Sequence, residues 1–340
     1  MTLWGVRASL LALVAASAAL TLVRSRYGLS QWFEFILAGV TMGSIYALVA
    51  LGYTMVYGVL RMINFAHGDI TMAGAFGGYF AADVAQRAGL VQSHPVLAVA
   101  ATLLASTTIA TGVALLVERV AYRPFRGVRG FAPLVCAIGA SLFLEQTVRG
   151  LFGSSVKSYP DLDWGGVAFS VGSLRVRQLD EVVICFALAS MAVLHCIVNK
   201  TRMGTSMRAV SEDAQAAALM GIDVDRVVIF TFVLGGVMAG IAGVFYAFVF
   251  KQVYFYMGIS LGIKAFAAAL LGGMGSIPGA MIGGFVLGLG ESVGPALLFD
   301  GIGIRAPYQL RDLIAFTLLI AVLVFRPSGM LGGRVTAQRA

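Results

Sequence analysis

The residues best able to do chemistry lie in one short stretch, Arg61-Met-Ile-Asn64-Phe-Ala-His67-Gly68-Asp69, which interrupts apolar sequence running from about 35 to 84. Ionisable and amide groups at membrane depth are costly, and by default they are suspected of lining or gating a polar pathway. A blander reading also fits, in which these side chains only cap and pin helices. Asn64 and Asp69 are good N-caps, and Gly68 permits a non-helical turn. Both readings predict one helix ending near Arg61 and another starting between Asn64 and Asp69. His67 stands alone, without a cluster of Cys, Asp or His, so no metal site is expected. Small and weakly polar residues extend the pathway reading: Thr41, Ser44 and Tyr53 before the break, Thr71 after it, and Ser276 at a second break near Pro278. The plainer reading of each is a packing residue or a hydroxyl bonded to its own backbone. Lys264, in a short apolar segment, must be paired, snorkel or mark a membrane boundary. No catalytic residue is expected.

A second stretch, Arg202 to Arg226, offers mechanical rather than catalytic chemistry. Ser211 can cap a helix, Glu212 and Asp213 suit its positive end, and Ala214 to Met220 are helix formers. Gly221 supplies the stop. The expected product is an exposed helix of about two turns, marginal alone in water. It suits a groove on another protein; the alternative is a helix lying on the membrane or on its neighbours.

The elements that position these stretches follow from composition. Of 340 residues, 59% are hydrophobic and 12% charged, and the mean hydropathy is +0.90. A soluble domain is roughly a quarter charged. Disordered chains, soluble enzymes and disulfide-stapled modules are thereby excluded, and a polytopic all-α membrane protein of about eight to ten helices is expected. Apolar segments fall near 8–23, 33–60, 64–84, 95–117, 131–152, 182–198, 227–250, 261–273, 278–299 and 312–325. They are too long for barrel strands. The segment within 1–30 reads as a retained span or, from Ala16-Ser17-Ala18, as a signal peptide. Residues 31–333 form the main domain.

The net charge of +8 is scattered in short loops and reads as an orientation signal, not a nucleic-acid site. Arg119, Arg123, Arg126 and Arg129 share one side with Lys200, Arg202, Arg208 and Arg226, and with Arg326, Arg334 and Arg339 of the tail. That side is cytoplasmic, and 199–226 is its longest connection. The opposite side carries loop 153–181, with a hairpin expected at 167–177 around Gly172-Ser173. Cys136, Cys185 and Cys196 are expected as buried small hydrophobes. Gly39-x-x-x-Gly43 marks a close-packing helix face. The stretches from Gly68 and from Gly275 look alike, as in paired interrupted helices of duplicated halves.

Several motifs together carry a resemblance. Glu212, Ala216, Ala217 and Gly221 resemble the "EAA" coupling loop of ABC-importer permeases. The stretches Gly39 to Leu48, Ile63 to Asp69, Glu118 to Pro124, Gly221 to Arg226, Lys264 to Ala280 and Arg326-Pro-Ser-Gly-Met-Leu-Gly resemble the LivH-type permease of branched-chain amino acid ABC transporters, over about 35 to 333. The first 30 residues and loop 153–181 depart from that pattern. The resemblance implies a multi-pass inner-membrane permease that forms half of a heterodimeric pore with a second homologous permease. Two ATPase subunits with ATP and Mg would sit below it, and a periplasmic solute-binding protein would select the solute. Glu212, Asp213, Ala216, Ala217 and Gly221 would then contact the ATPase. No G-x-x-x-x-G-K-[ST] occurs, so this chain has no P-loop and should bind no cofactor itself. A urea or short-chain amide importer is the neighbouring alternative. An ion-coupled secondary transporter would instead rely on Asp69, Glu145 or Glu291, and a passive channel would need no ATP.

Overall fold

A computed structural model describes residues 19–21, 27–126, 131–160, 166–171, 174–299, 307–326 and 328–331. The signal-or-span question over the first 30 residues therefore falls mainly outside the described residues. So do Arg129, the hairpin turn at 172–173, and Arg334 and Arg339.

The apolar segments become helices: α1 Leu29–Leu60, α2 His67–Arg87, α3 Pro95–Val117, α4 Ala132–Phe152, α5 Gln178–Lys200, α6 Arg202–Glu212, α7 Ala214–Leu219, α8 Val224–Phe250, α9 Met257–Gly272, α10 Ile277–Gly294 and α11 Arg311–Phe325. Among the described residues, seven helical stretches are long and apolar enough to cross a membrane: α1, α3 with its extension, α4, α5, α8, and α10 and α11 with their adjoining turns. The 21-residue α2 and the 16-residue α9 lie in the same bundle. Helices satisfy every backbone group internally, which is what hydrocarbon demands. At 1.5 Å per residue, the 32 residues of α1 reach about 48 Å, more than the ~30 Å hydrocarbon layer.

Burial sorts the helices. α1 and α8 are mostly buried, whereas α4, α5 and α11 keep most of their residues on the outside. α1 packs most extensively against α10. Small residues allow this, as Gly39-x-x-x-Gly43 predicts. A Cβ on Gly43 would sit 2.8 Å from Phe285 Cα and 2.9 Å from the Gly284 oxygen. The cysteines depart from expectation. Cys185 and Cys196 are exposed and Cys136 half-buried, because they lie on outward sides of α4 and α5 that are apolar for lipid, not for the core.

On the side opposite α6 and α7, β1 (Lys157–Ser158) pairs antiparallel with β4 (Gln252–Val253), tying the loop after α4 to the α8–α9 connection. Tyr159 is buried there, edge-on to Phe248, and burial pushes its phenol pKa up. The expected hairpin is present as β2 (Val167–Val171) and β3 (Leu174–Arg177), with an irregularity between Val167 and Phe169.

Candidate functional site

The first break forms where expected but by different means. α1 ends at Arg61, which takes a left-handed conformation (φ 54°) and donates its N–H to Tyr57 O at 2.9 Å. α2 begins at His67 with no side-chain cap. Asn64 is not an N-cap: its Oδ1 accepts from the Tyr122 hydroxyl at 3.0 Å. Asp69 is not one either, since it lies within the first turn of α2 and accepts from the Ser141 hydroxyl of α4. Gly68 is helical. Its lack of a side chain serves close approach instead, because a Cβ there would run into the Gly258 carbonyl of α9 and lie 2.8 Å from Gly262 Cα. His67, 1% exposed, packs against the Tyr53 ring with centroids 4.8 Å apart.

The structure thus gathers Tyr53, His67 and Asp69 at one point where α1, α2 and α9 meet. The other polar residues lie elsewhere. Thr41 donates to Asp180 at 3.2 Å, and Arg177 holds that carboxylate at 2.9 Å. Ser44 bonds Val40 O at 2.8 Å and Thr71 bonds His67 O at 3.0 Å, each within its own helix. Ser276 caps α10, accepting from Gly279 N–H at 3.1 Å.

Lys264 is no boundary marker. It is 7% exposed, and Nζ lies 3.0 Å from Glu291 Oε1 and 2.8 Å from Asp312 Oδ1. Tyr46 donates to Glu291 Oε2 at 2.7 Å. This cluster joins α1, α9, α10 and α11. Its partners are distant in sequence, so local reading found the lysine and the glutamate but not their pairing.

The segment from Arg202 to Gly221 is two helices, not one. Thr201 caps α6, which buries Gly204, Met207 and Val210. α6 runs through Ser211, whose hydroxyl bonds back to Arg208 O at 2.7 Å, so Ser211 caps nothing. Glu212 is the last residue of α6, not the head of the next helix. The cap is Asp213, whose Oδ1 accepts from Gln215 N–H at 2.8 Å and Ala216 N–H at 3.0 Å. α7 buries Ala217 and leaves Ala216 outside. It ends as expected at Gly221, in the left-handed region (φ +84°), with Ile222 N–H on Ala217 O at 3.1 Å. Sequence reasoning missed Leu219 and Met220, 89% and 83% exposed at the tip. The signal was available: two large apolar residues immediately before the terminating glycine.

Two charged loops assigned to one side do meet. Arg123 reaches Asp225 at 3.0 Å, and Arg126 bonds both Asp225 and Glu118. On the same side, α6 borders a cavity of about 360 Å³ lined by Thr54, His195, Asn199, Arg208, Ser211 and Ser276. The cavity separates α6 from the second break, at the start of α10.

Residues 35–323 match the family described as branched-chain amino acid transport system, permease component. The chain is 40% identical over 309 residues to the high-affinity branched-chain amino acid transport system permease protein LivH of Salmonella typhimurium, covering 90% of this chain and 96% of that protein. It is 38% identical to the corresponding protein BraD of Pseudomonas aeruginosa, covering 89% and 96%. Among solved structures, PsaBC from Streptococcus pneumoniae in complex with Fab aligns at TM-score 0.45 and 13% identity, over 85% of this chain and 91% of that one. The chain belongs to the family of permease components of branched-chain amino acid transport systems.

Proposed function

We propose that this chain forms half of the translocation pathway of an ATP-driven importer of branched-chain amino acids in a bacterial inner membrane. One observation carries the reading: 40% identity along 90% of the chain to a permease named for that transport. A second, homologous permease would supply the other half. Two ATPase subunits would hold ATP and Mg, and a periplasmic binding protein would select the solute.

In this reading α7 is the part an ATPase grips. Leu219 and Met220, at the C-terminal end of α7, enter a groove on the partner, and the acidic residues Glu212 and Asp213 meet it at the other end of the helix. Asp213 and Gly221 fix the angle of α7, one as its cap and the other as its left-handed stop. Ala217 seats α7 on the bundle. Closure of the ATPases moves α6 and α7 together against α5 and α8, and the pathway alternates between two access states. The work comes from differential binding of the ATPases to those states.

The test is L-leucine uptake by the complete importer in proteoliposomes, with ATP supplied on the ATPase side. Uptake should require ATP and survive ionophores. Loss of uptake on collapsing the ion gradient with ATP intact would support the ion-coupled rival, and flux without ATP a channel. Uptake of urea or acetamide in place of leucine would move the solute to short amides.

A further inference from the structure

The cavity of about 360 Å³ beside α6 carries an unbalanced charge. Part of its wall is apolar and buried: Val59 of α1, Met207 of α6 and Ile277 of α10. The polar part comes from Asn199 at the end of α5, Arg208 and Ser211 of α6, and Ser276, the cap of α10. Arg208 and Asn199 are exposed, so the cavity opens to the surface beside α6. Its volume falls within the ~300–1,000 Å³ typical of small-molecule sites.

No Asp or Glu lines this cavity. Arg208 donates to the Val198 carbonyl and to the Thr205 hydroxyl, and among the described residues it meets no carboxylate. A guanidinium has five N–H groups, so donors remain. The same cavity is bordered by the N-terminus of α10, an 18-residue helix. The first N–H groups of a helix have no intrahelical acceptor and carry partial positive charge. Thr54, also on the wall, has a buried hydroxyl with no partner among the described residues. A guanidinium, a helix N-terminus and hydroxyls, with no acid among them, favour an anion. The apolar wall favours an anion that carries hydrocarbon, since burial of that hydrocarbon is what the wall can add. Inorganic phosphate would bury no apolar surface there, and an ammonium would find no acid on the wall.

We propose that this cavity is a binding site for a small aliphatic monocarboxylate without an amine, its carboxylate on Arg208 and its chain against Val59, Met207 and Ile277. Such a ligand bridges α6 to the start of α10, which the cavity otherwise keeps apart. The site does not rest on the reading under Proposed function.

The test uses the complete importer in dodecyl maltoside, with Cys136, Cys185 and Cys196 of this chain replaced by alanine and with Ser211→Cys in the cavity wall. The Ser211 hydroxyl bonds only within its own helix, so the exchange is mild. Labelling of this chain is followed by mass, and each rate is divided by that for free cysteine. The anionic 2-sulfonatoethyl methanethiosulfonate should then outpace its cationic trimethylammonium-ethyl counterpart about tenfold. Millimolar 4-methylpentanoate should slow labelling, whereas L-leucine, 3-methylbutylamine and inorganic phosphate should not. Arg208→Gln should abolish both the preference and the protection, and Arg208→Lys, which keeps the charge, should retain the preference. Val198→Cys, read in the same way from the α5 wall, guards against a poorly folded first variant. Equal rates at both positions, or a preference that survives Arg208→Gln, would overturn the site. Protection by phosphate alone, or equal protection by L-leucine, would overturn the class of ligand.

Discussion

Glu291 and Asp69 are both acids buried within the helical bundle, yet their surroundings differ. Glu291 meets the Lys264 ammonium and accepts from the Tyr46 hydroxyl, while Asp312 takes the other side of the lysine. Asp69 has the Ser141 hydroxyl on one oxygen and, among the described residues, no donor on the other. The segment of α6 and α7 repeats the contrast at its surface. Asp213 is engaged as a cap through Oδ1, whereas Leu219 and Met220 are exposed. The lesson is a division of roles. Glu291 is held by a cation that ties α9 to α10, whereas Asp69 makes no ion pair among the described residues.

That division makes graded predictions. The largest effect on folding should come from Lys264→Met, which strands Glu291 without its cation; breaking a buried pair costs about 3–5 kcal/mol. Thermal unfolding in detergent should show the loss. The double variant Lys264→Met with Glu291→Leu should recover most of it, since replacing both members by apolar groups is often neutral or stabilising. If the double variant is no better than the single, the cluster holds the fold in some other way.

A smaller loss is expected for Asp213→Ala, about 1 kcal/mol as for other N-caps, with weaker coupling of ATP hydrolysis to uptake as the second readout. Leu219→Ser with Met220→Ser should change stability by no more than about 0.5 kcal/mol, as for surface substitutions, yet abolish coupling. Unchanged coupling would place these two side chains among ordinary exposed residues. Asp69→Asn should not destabilise the bundle at all, because it removes a buried charge that lacks a counterion. A large loss of stability there would show that Asp69 is as structural as Glu291.

The sequence made the bundle legible because apolar runs of about twenty residues admit few other outcomes. The break at 61–69 was legible for the same reason: four polar residues within such a run must end a helix. Which residue performs each local task was not. Ser211 and Asp213 are both capping types two positions apart, and the choice depends on α6 continuing through Ser211. The i, i+4, i+7 spacing of Met203, Met207 and Val210 carried that signal. Gly68 suggests a turn until α9 is seen lying against it. Pairing of Lys264 with Asp312, or of Asp69 with Ser141, joins helices far apart in the chain, and no local pattern encodes it.

What touches α7 decides most directly whether it is gripped by an ATPase. A photo-crosslinking residue at Met220, in the complete importer within membrane, should capture an ATPase subunit, with a yield that changes when ATP binds. Capture only of lipid or of this chain's own helices, with or without nucleotide, would contradict it.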